Sequence, residues 1–375
     1  MRTLTMKKLI LVTALVLTIS ACTEDKKTVT EGVNLGGMTS NGEQVIVKQK
    51  LTYPKFISAE MRTVLKAWIP YWELPGFTGM PAADDHDAWR ASAASKAVQQ
   101  KAASDKVAKK FQVTVEEKHL GGVRVLEVTP KNWVHKDKVL VHFHGGGMYS
   151  QSPDTMMTAY VPLADEMNTK IVSVDYRLLP SWDYGILEQI GDGVTVFKHL
   201  VEKQGYKASN IGMFGCSAGG IMTMGVTNRL SHEGYPLPGA IVPQSGMYDW
   251  TLDSDTYKTL DGQDPVASTV QYFAPIIAMA RLTEDDLIDP SYSPVFDTFT
   301  GRKFPPALFQ AGGREVLLSD SFRMYDKLKQ AGHEAELDIH DAMPHCAHNV
   351  YYAPEAKVIR QRTADWFKEH MDFSQ

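Results

Sequence analysis

The sequence predicts an α/β fold, a mostly parallel central sheet with helices on both faces. Two observations carry that reading. Short strand-like runs at 138–143, 170–175, 210–214, 239–243, 306–310 and 335–340 recur with helix-compatible stretches between them, the alternation that builds a parallel sheet. The run at 210–214 also leads into Gly215-Cys216-Ser217-Ala218-Gly219-Gly220 and continues as the apolar Ile221-Met222-Thr223-Met224-Gly225-Val226. A strand, a glycine-flanked turn and a helix hold a serine in strained backbone with its hydroxyl exposed. At 375 residues the chain can bury a substantial core.

The elements follow from the N-terminus. Arg2, Lys7 and Lys8 precede an apolar run through residue 19, then small residues and Cys22. That pattern is a secretory signal peptide over 1–21, too short for a membrane span, and more compact if translation begins at Met6. Ile19-Ser20-Ala21-Cys22 resembles a bacterial lipobox, which implies a lipid anchor on Cys22 and export to the cell envelope. Thr23 stands where aspartate is associated with inner-membrane retention, so the outer membrane is expected if the cell is Gram-negative. Ordinary cleavage near Ala21 is the alternative. Residues 22–50 read as a lipid-anchored polar tether. Within 51–110, an apolar-periodic segment spans 57–69 before Pro70, and an Ala/Lys-rich stretch spans 91–110; both read as helices. Residues 113–115 and 123–128, joined across Gly121-Gly122, read as a hairpin at the start of the sheet.

The run at 138–143 ends in His144-Gly145-Gly146-Gly147-Met148. Three glycines at a strand end expose N–H groups that no sheet satisfies, and fixed donors suit a developing oxyanion. An HGGG loop acts with the N–H after a nucleophile, which selects Gly146, Gly147 and Ala218, with Gly145 a further candidate. His144 is expected to hold the loop.

These motifs, with Asp175-Tyr176-Arg177-Leu178-Leu179-Pro180, Pro290-Ser291-Tyr292-Ser293-Pro294 and Ala342-Met343-Pro344-His345, resemble the bacterial hormone-sensitive-lipase-like (family IV) esterases of the α/β-hydrolase superfamily. The resemblance covers roughly 110–370. It implies the α/β-hydrolase fold with a catalytic domain over 111–375. It also implies a helical cap drawn from 51–110 and from an insertion at 251–289. The activity implied is that of a serine carboxylesterase on short-to-medium acyl esters. Amidase or acyltransferase chemistry uses the same groups, and a non-catalytic ligand-binding homologue is the reading from another class. Residues of 271–279 either line a substrate pocket or pack on the sheet.

Chain order in this fold is serine, acid, histidine. The strand-like run at 306–310 leads to Glu315, which holds the family's acid position although many relatives carry aspartate there. Asp320 is the rival acid. Of 12 histidines, the Met-Pro-His match selects His345 as the base over His348 and His340. Ser217, Glu315 and His345 are therefore the expected catalytic residues.

Of three cysteines, lipidation of Cys22 leaves Cys216, immediately before the nucleophile, and Cys346, immediately after the base. Because Ser217 and His345 must meet, Cys216 and Cys346 are candidates for a disulfide; two small buried thiols are the other reading. No grouping of Cys, His and acids has zinc spacing, and no GxGxxG or GxxxxGK[ST] loop occurs. No metal or cofactor is therefore expected, and the partner is a small-molecule ester. A net charge of -5 argues against nucleic acid.

Overall fold

The computed structural model describes residues 52–67, 80–266 and 270–373, together with a short antiparallel pair, Gly37–Met38 with Gln44–Val45. The expected signal peptide and Cys22 lie outside the described residues, as does most of the tether. Residues 1–50 and 51–375 form separate units, and the second holds the sheet.

Eight strands build it: β1 (Thr114–Leu120), β2 (Val123–Thr129), β3 (Val139–Phe143), β4 (Lys170–Val174), β5 (Ile211–Cys216), β6 (Ala240–Gln244), β7 (Ala307–Gly312) and β8 (Ala335–His340). Their spatial order is β8-β7-β6-β5-β3-β4-β2-β1. The β1–β2 hairpin turns at Gly121 and Gly122, both at positive φ, and β2 runs antiparallel to β4. The other neighbours are parallel. Strands β3, β5, β6 and β7 are buried along their whole length, which is why each reads as a continuous apolar run.

Alternation along β3 divides the core. Val139, Val141 and Phe143 pack on one face with Ile190, Val194 and Phe197 of α4 (Ile186–Glu202), and with α5 (Ala218–His232) and α9 (Leu318–Gln330). Leu140 packs on the other face with Tyr160 of α3 (Met157–Met167) and Trp366 and Phe367 of α10 (Pro354–His370). The two-residue period of a strand produces this split.

Both N-terminal helices form. α1 (Ala59–Ala67) buries Met61 and Leu65 in a third cluster with Ala342, Met343 and Ile359, so it packs beside the loop that carries His345. α2 (His86–Phe111) starts before the Ala/Lys-rich stretch because Asp85 caps it by accepting the Ala88 N–H at 3.0 Å. Its Trp89 is fully buried, edge-on to Tyr149 just past the glycine loop. The 251–289 insertion carries α6 (Thr256–Thr259), α7 (Val270–Met279) and α8 (Glu284–Ile288).

Candidate active site

The turn from β5 into α5 places Ser217 at φ 62°, ψ −122°, a conformation that side chains avoid unless the surroundings enforce it. Here they do: the Ser217 N–H donates to the Gln244 carbonyl at 2.9 Å, and its carbonyl accepts from Gly220 at 2.8 Å and Ile221 at 3.1 Å. The flanking glycines are required by close approach. A Cβ on Gly215 would lie 2.4 Å from the Phe143 carbonyl oxygen, and one on Gly219 would lie 2.0 Å from the same atom.

That contact brings the end of β3, and so the glycine loop, against the serine. A Cβ on Gly145 would fall 3.5 Å from Ser217 Cβ. Gly146 and Gly147 have φ of 114° and 63°, and a Cβ on Gly146 would meet the Ser150 carbonyl oxygen at 2.0 Å. Ser150 fixes the loop by donating its N–H (3.0 Å) and hydroxyl (2.8 Å) to the Gly146 carbonyl. His144 holds the near side. Its buried ring stacks on Tyr176 with centroids 4.2 Å apart, and its Nδ1 lies 2.7 Å from the Gly145 carbonyl. Burial pushes its pKa down to about 4, so the neutral ring donates from Nδ1.

The acid stands after β7. Glu315 is wholly buried. Its Oε1 accepts the Gly312 N–H at 2.8 Å and the Ser245 hydroxyl at 2.9 Å, and its Oε2 lies 2.7 Å from Nδ1 of His345. The carboxylate thus fixes the tautomer with hydrogen on Nδ1, leaving Nε2 as the basic nitrogen. Burial alone would lower the His345 pKa, but the bond to Glu315, its charge and that of Asp264 outweigh burial and raise it above the ordinary 6.5. A disulfide joins Cys216 to Cys346 with Cα atoms 6.1 Å apart, tying the turn of the serine to the loop of the histidine. Among the described residues Ser217 Oγ has no hydrogen bond to the imidazole; such contacts often tighten only with substrate.

The rival residues are engaged elsewhere. Asp320 is buried and accepts the Tyr248 N–H (2.8 Å), the Asp249 N–H (3.1 Å) and the Ser254 hydroxyl (2.6 Å), so it ties down the chain after β6. His340 pairs with Asp338 at 2.9 Å, and burial lowers the pKa of His348 to about 3.

One site residue escapes the sequence reading. Asp264, in the insertion, accepts the backbone N–H of His345 at 3.0 Å and that of Val266 at 2.8 Å. It is 1% exposed, and burial pushes its pKa up to about 6 against the opposing pull of His345. Polar atoms of Asp264, Glu315 and His345 lie within 4.8 Å of one another, so two carboxylates flank the histidine. Locally, Asp264-Pro265 reads only as a turn.

Two recesses adjoin these residues. An apolar slot of about 20 Å³ is bounded by Ser217, Ala218 and Gly147 together with Trp250, Phe273 and Ile276. This assigns α7 to the pocket wall, although Phe273 and Ile276 also belong to the main core cluster. A larger cavity of about 380 Å³ lies beside His345 and Cys346.

A family model described as alpha/beta hydrolase fold matches residues 140–349. An esterase of Acinetobacter venetianus is 30% identical over 226 residues, covering 60% of this chain and 71% of the relative. An acetyl-hydrolase of Streptomyces hygroscopicus is 26% identical over 217 residues, 58% of this chain and 70% of its own. Among solved structures, the esterase E25 superposes with a TM-score of 0.77 at 27% identity, covering 88% of this chain and 99% of that one.

Proposed function

This chain belongs to the alpha/beta hydrolase fold family and is a carboxylic ester hydrolase, and from that premise we propose that Ser217, His345 and Glu315 are its catalytic triad. The observation that carries the assignment is the 2.7 Å contact of His345 Nδ1 with a wholly buried Glu315 carboxylate. Gly146, Gly147 and Ala218 supply the oxyanion donors, a role supported by the glycine loop lying against the serine turn.

The reaction proceeds in two halves. Ser217 Oγ bonds to the ester carbonyl carbon while its proton passes to Nε2 of His345. The tetrahedral intermediate collapses, the bond to the alcohol oxygen breaks, and the imidazolium returns the proton to the departing alkoxide. Water then attacks the acyl-enzyme by the same route, releasing the acid and restoring Ser217. Glu315 orients the ring and stabilises the imidazolium. Each oxyanion donor contributes about 3–4 kcal/mol if it matches the donor measured in subtilisin. The small apolar slot favours short acyl groups, acetyl above all.

Cys22 carries the lipid anchor in this reading. Its support is the charged and apolar run before Cys22 and the Cys216–Cys346 disulfide, which suits an oxidising compartment. Cys22→Ala is expected to move the protein from the membrane fraction to the soluble one.

The triad is tested with an organofluorophosphate. Stoichiometric labelling of Ser217, mapped by peptide mass spectrometry and lost in His345→Ala, is expected. Labelling at another serine would refute the assignment.

A further inference from the structure

The base is gripped at two points. Glu315 holds the His345 ring through Nδ1, and Asp264 holds the His345 backbone by accepting its N–H at 3.0 Å. The second grip comes from the 251–289 insertion, 81 residues earlier in the chain. The loop it acts on is strained on both sides of the base, with Ala342 at φ 59° and Cys346 at φ 53°. Such backbone persists only where its surroundings enforce it. A buried carboxylate gives up its hydration, and Asp264 offsets part of that loss with two N–H bonds, from His345 and from Val266. When the carboxylate is ionised, its charge strengthens both.

The same insertion grips the acid. Thr256, the first residue of α6, donates its hydroxyl to the carbonyl of Val316, the residue after Glu315, at 2.6 Å. That hydroxyl accepts the Ser319 N–H, and the Thr256 N–H donates to the Ser319 hydroxyl, both at 3.0 Å. Val316 and Ser319 belong to the stretch by which the chain passes from Glu315 into α9. Residues 256–264 therefore reach both partners of the Glu315–His345 contact. Neither Thr256 nor Asp264 lines the apolar slot or the cavity beside His345, so their influence passes through the acid and the base. Proton transfer is sensitive to such support, since a misplacement of about 1 Å costs about 10²-fold in rate.

We propose that the insertion is a clasp on the acid–base pair, with Asp264 and Thr256 as positioning residues that set His345 and Glu315 for proton transfer. This rests on the triad reading above and extends it to residues outside the triad.

The test compares Asp264→Ala, Asp264→Asn and Thr256→Val with the wild-type protein on p-nitrophenyl acetate. Asp264→Ala removes both N–H bonds and is expected to lower kcat about 10²-fold while KM stays within about threefold. Asparagine can keep one of the two bonds, so Asp264→Asn is expected to lower kcat only about tenfold. It is also expected to move the pH midpoint of kcat/KM down. Glu315, Asp264 and His348 are the titratable groups facing the imidazole, and Tyr53 faces Asp264; the variant changes Asp264 alone. Thr256→Val keeps the shape, loses the hydroxyl and is expected to lower kcat about tenfold. Wild-type kcat in folded Asp264→Ala or in folded Thr256→Val would overturn the clasp, whatever the change in thermal unfolding. If Asp264→Ala does not fold, Asp264→Asn takes its place, and wild-type kcat with an unmoved midpoint would overturn the proposal. Absence of Ser217-dependent turnover by the wild-type protein would instead overturn the triad reading, and the proposal with it.

Discussion

Cys216 and Cys346 are bonded across 130 residues of chain, and each is the immediate neighbour of a residue proposed to do the chemistry, Ser217 on one side and His345 on the other. The bond thus constrains the separation of nucleophile and base through the backbone. Replacing both cysteines by alanine is expected to lower stability by about 2–5 kcal/mol and to lower kcat more than it changes KM. Chemical denaturation and steady-state kinetics on the same preparation check both effects.

Glu315 and Asp320 are both buried acids near the start of α9, yet only Glu315 reaches the imidazole. Glu315→Gln is expected to reduce kcat by up to about 10⁴-fold, the loss seen when a triad acid is neutralised in a serine protease. Asp320→Asn is expected to act mainly on stability, because its carboxylate receives two backbone N–H groups and a hydroxyl. Measuring kcat beside thermal unfolding separates the two. Severe loss of kcat in Asp320→Asn with a mild effect in Glu315→Gln would reverse the assignment.

The base must be neutral to accept the serine proton. Because the His345 pKa is raised above 6.5, kcat/KM is expected to rise with pH through a midpoint above that value. Ionised Asp264 favours the imidazolium, so Asp264→Asn is expected to move the midpoint down. Stability gives the second readout. The Asp264 pKa rises from 3.8 to about 6 on folding, so the folded protein binds the extra proton between those values. Its contribution to stability is full below 3.8 and is lost as pH rises towards about 6. Asp264→Asn is expected to remove that slope, read by denaturation at several pH values.

The apolar slot is expected to set acyl length through α7. Ile276 lines it, close to the glycine loop, with a Cδ1 that would lie 3.2 Å from a Cβ on Gly147. Ile276→Ala is expected to raise the butyrate-to-acetate ratio of kcat/KM about tenfold, the scale of one or two methylenes in an apolar pocket. A series of p-nitrophenyl esters reads it directly.

What was legible in the sequence follows from how local each signal is. Strands β3 to β8 fall within two residues of their expected bounds; for β3, β5, β6 and β7 this is because a strand covered on both faces is a continuous apolar run ending at turn residues. The edge strand β1 was expected over 113–115 and extends over Thr114–Leu120. Its Glu116, Glu117, Lys118 and His119 face solvent wholly or in part and carry no apolar pattern. Ser217, Glu315 and His345 could be named as candidates because each follows a strand in a fixed chain order. Asp264 could not: its partner is 81 residues away, and nothing near it in sequence marks it.

The central claim is that Ser217 performs ester hydrolysis. Its most direct test is turnover of p-nitrophenyl esters from acetate to laurate by the wild-type protein and by a folded Ser217→Ala variant. The expected result is hydrolysis that is fastest on acetate, falls with chain length and disappears in Ser217→Ala. Turnover that survives the substitution, or none on any ester by the folded wild-type protein, would contradict the account.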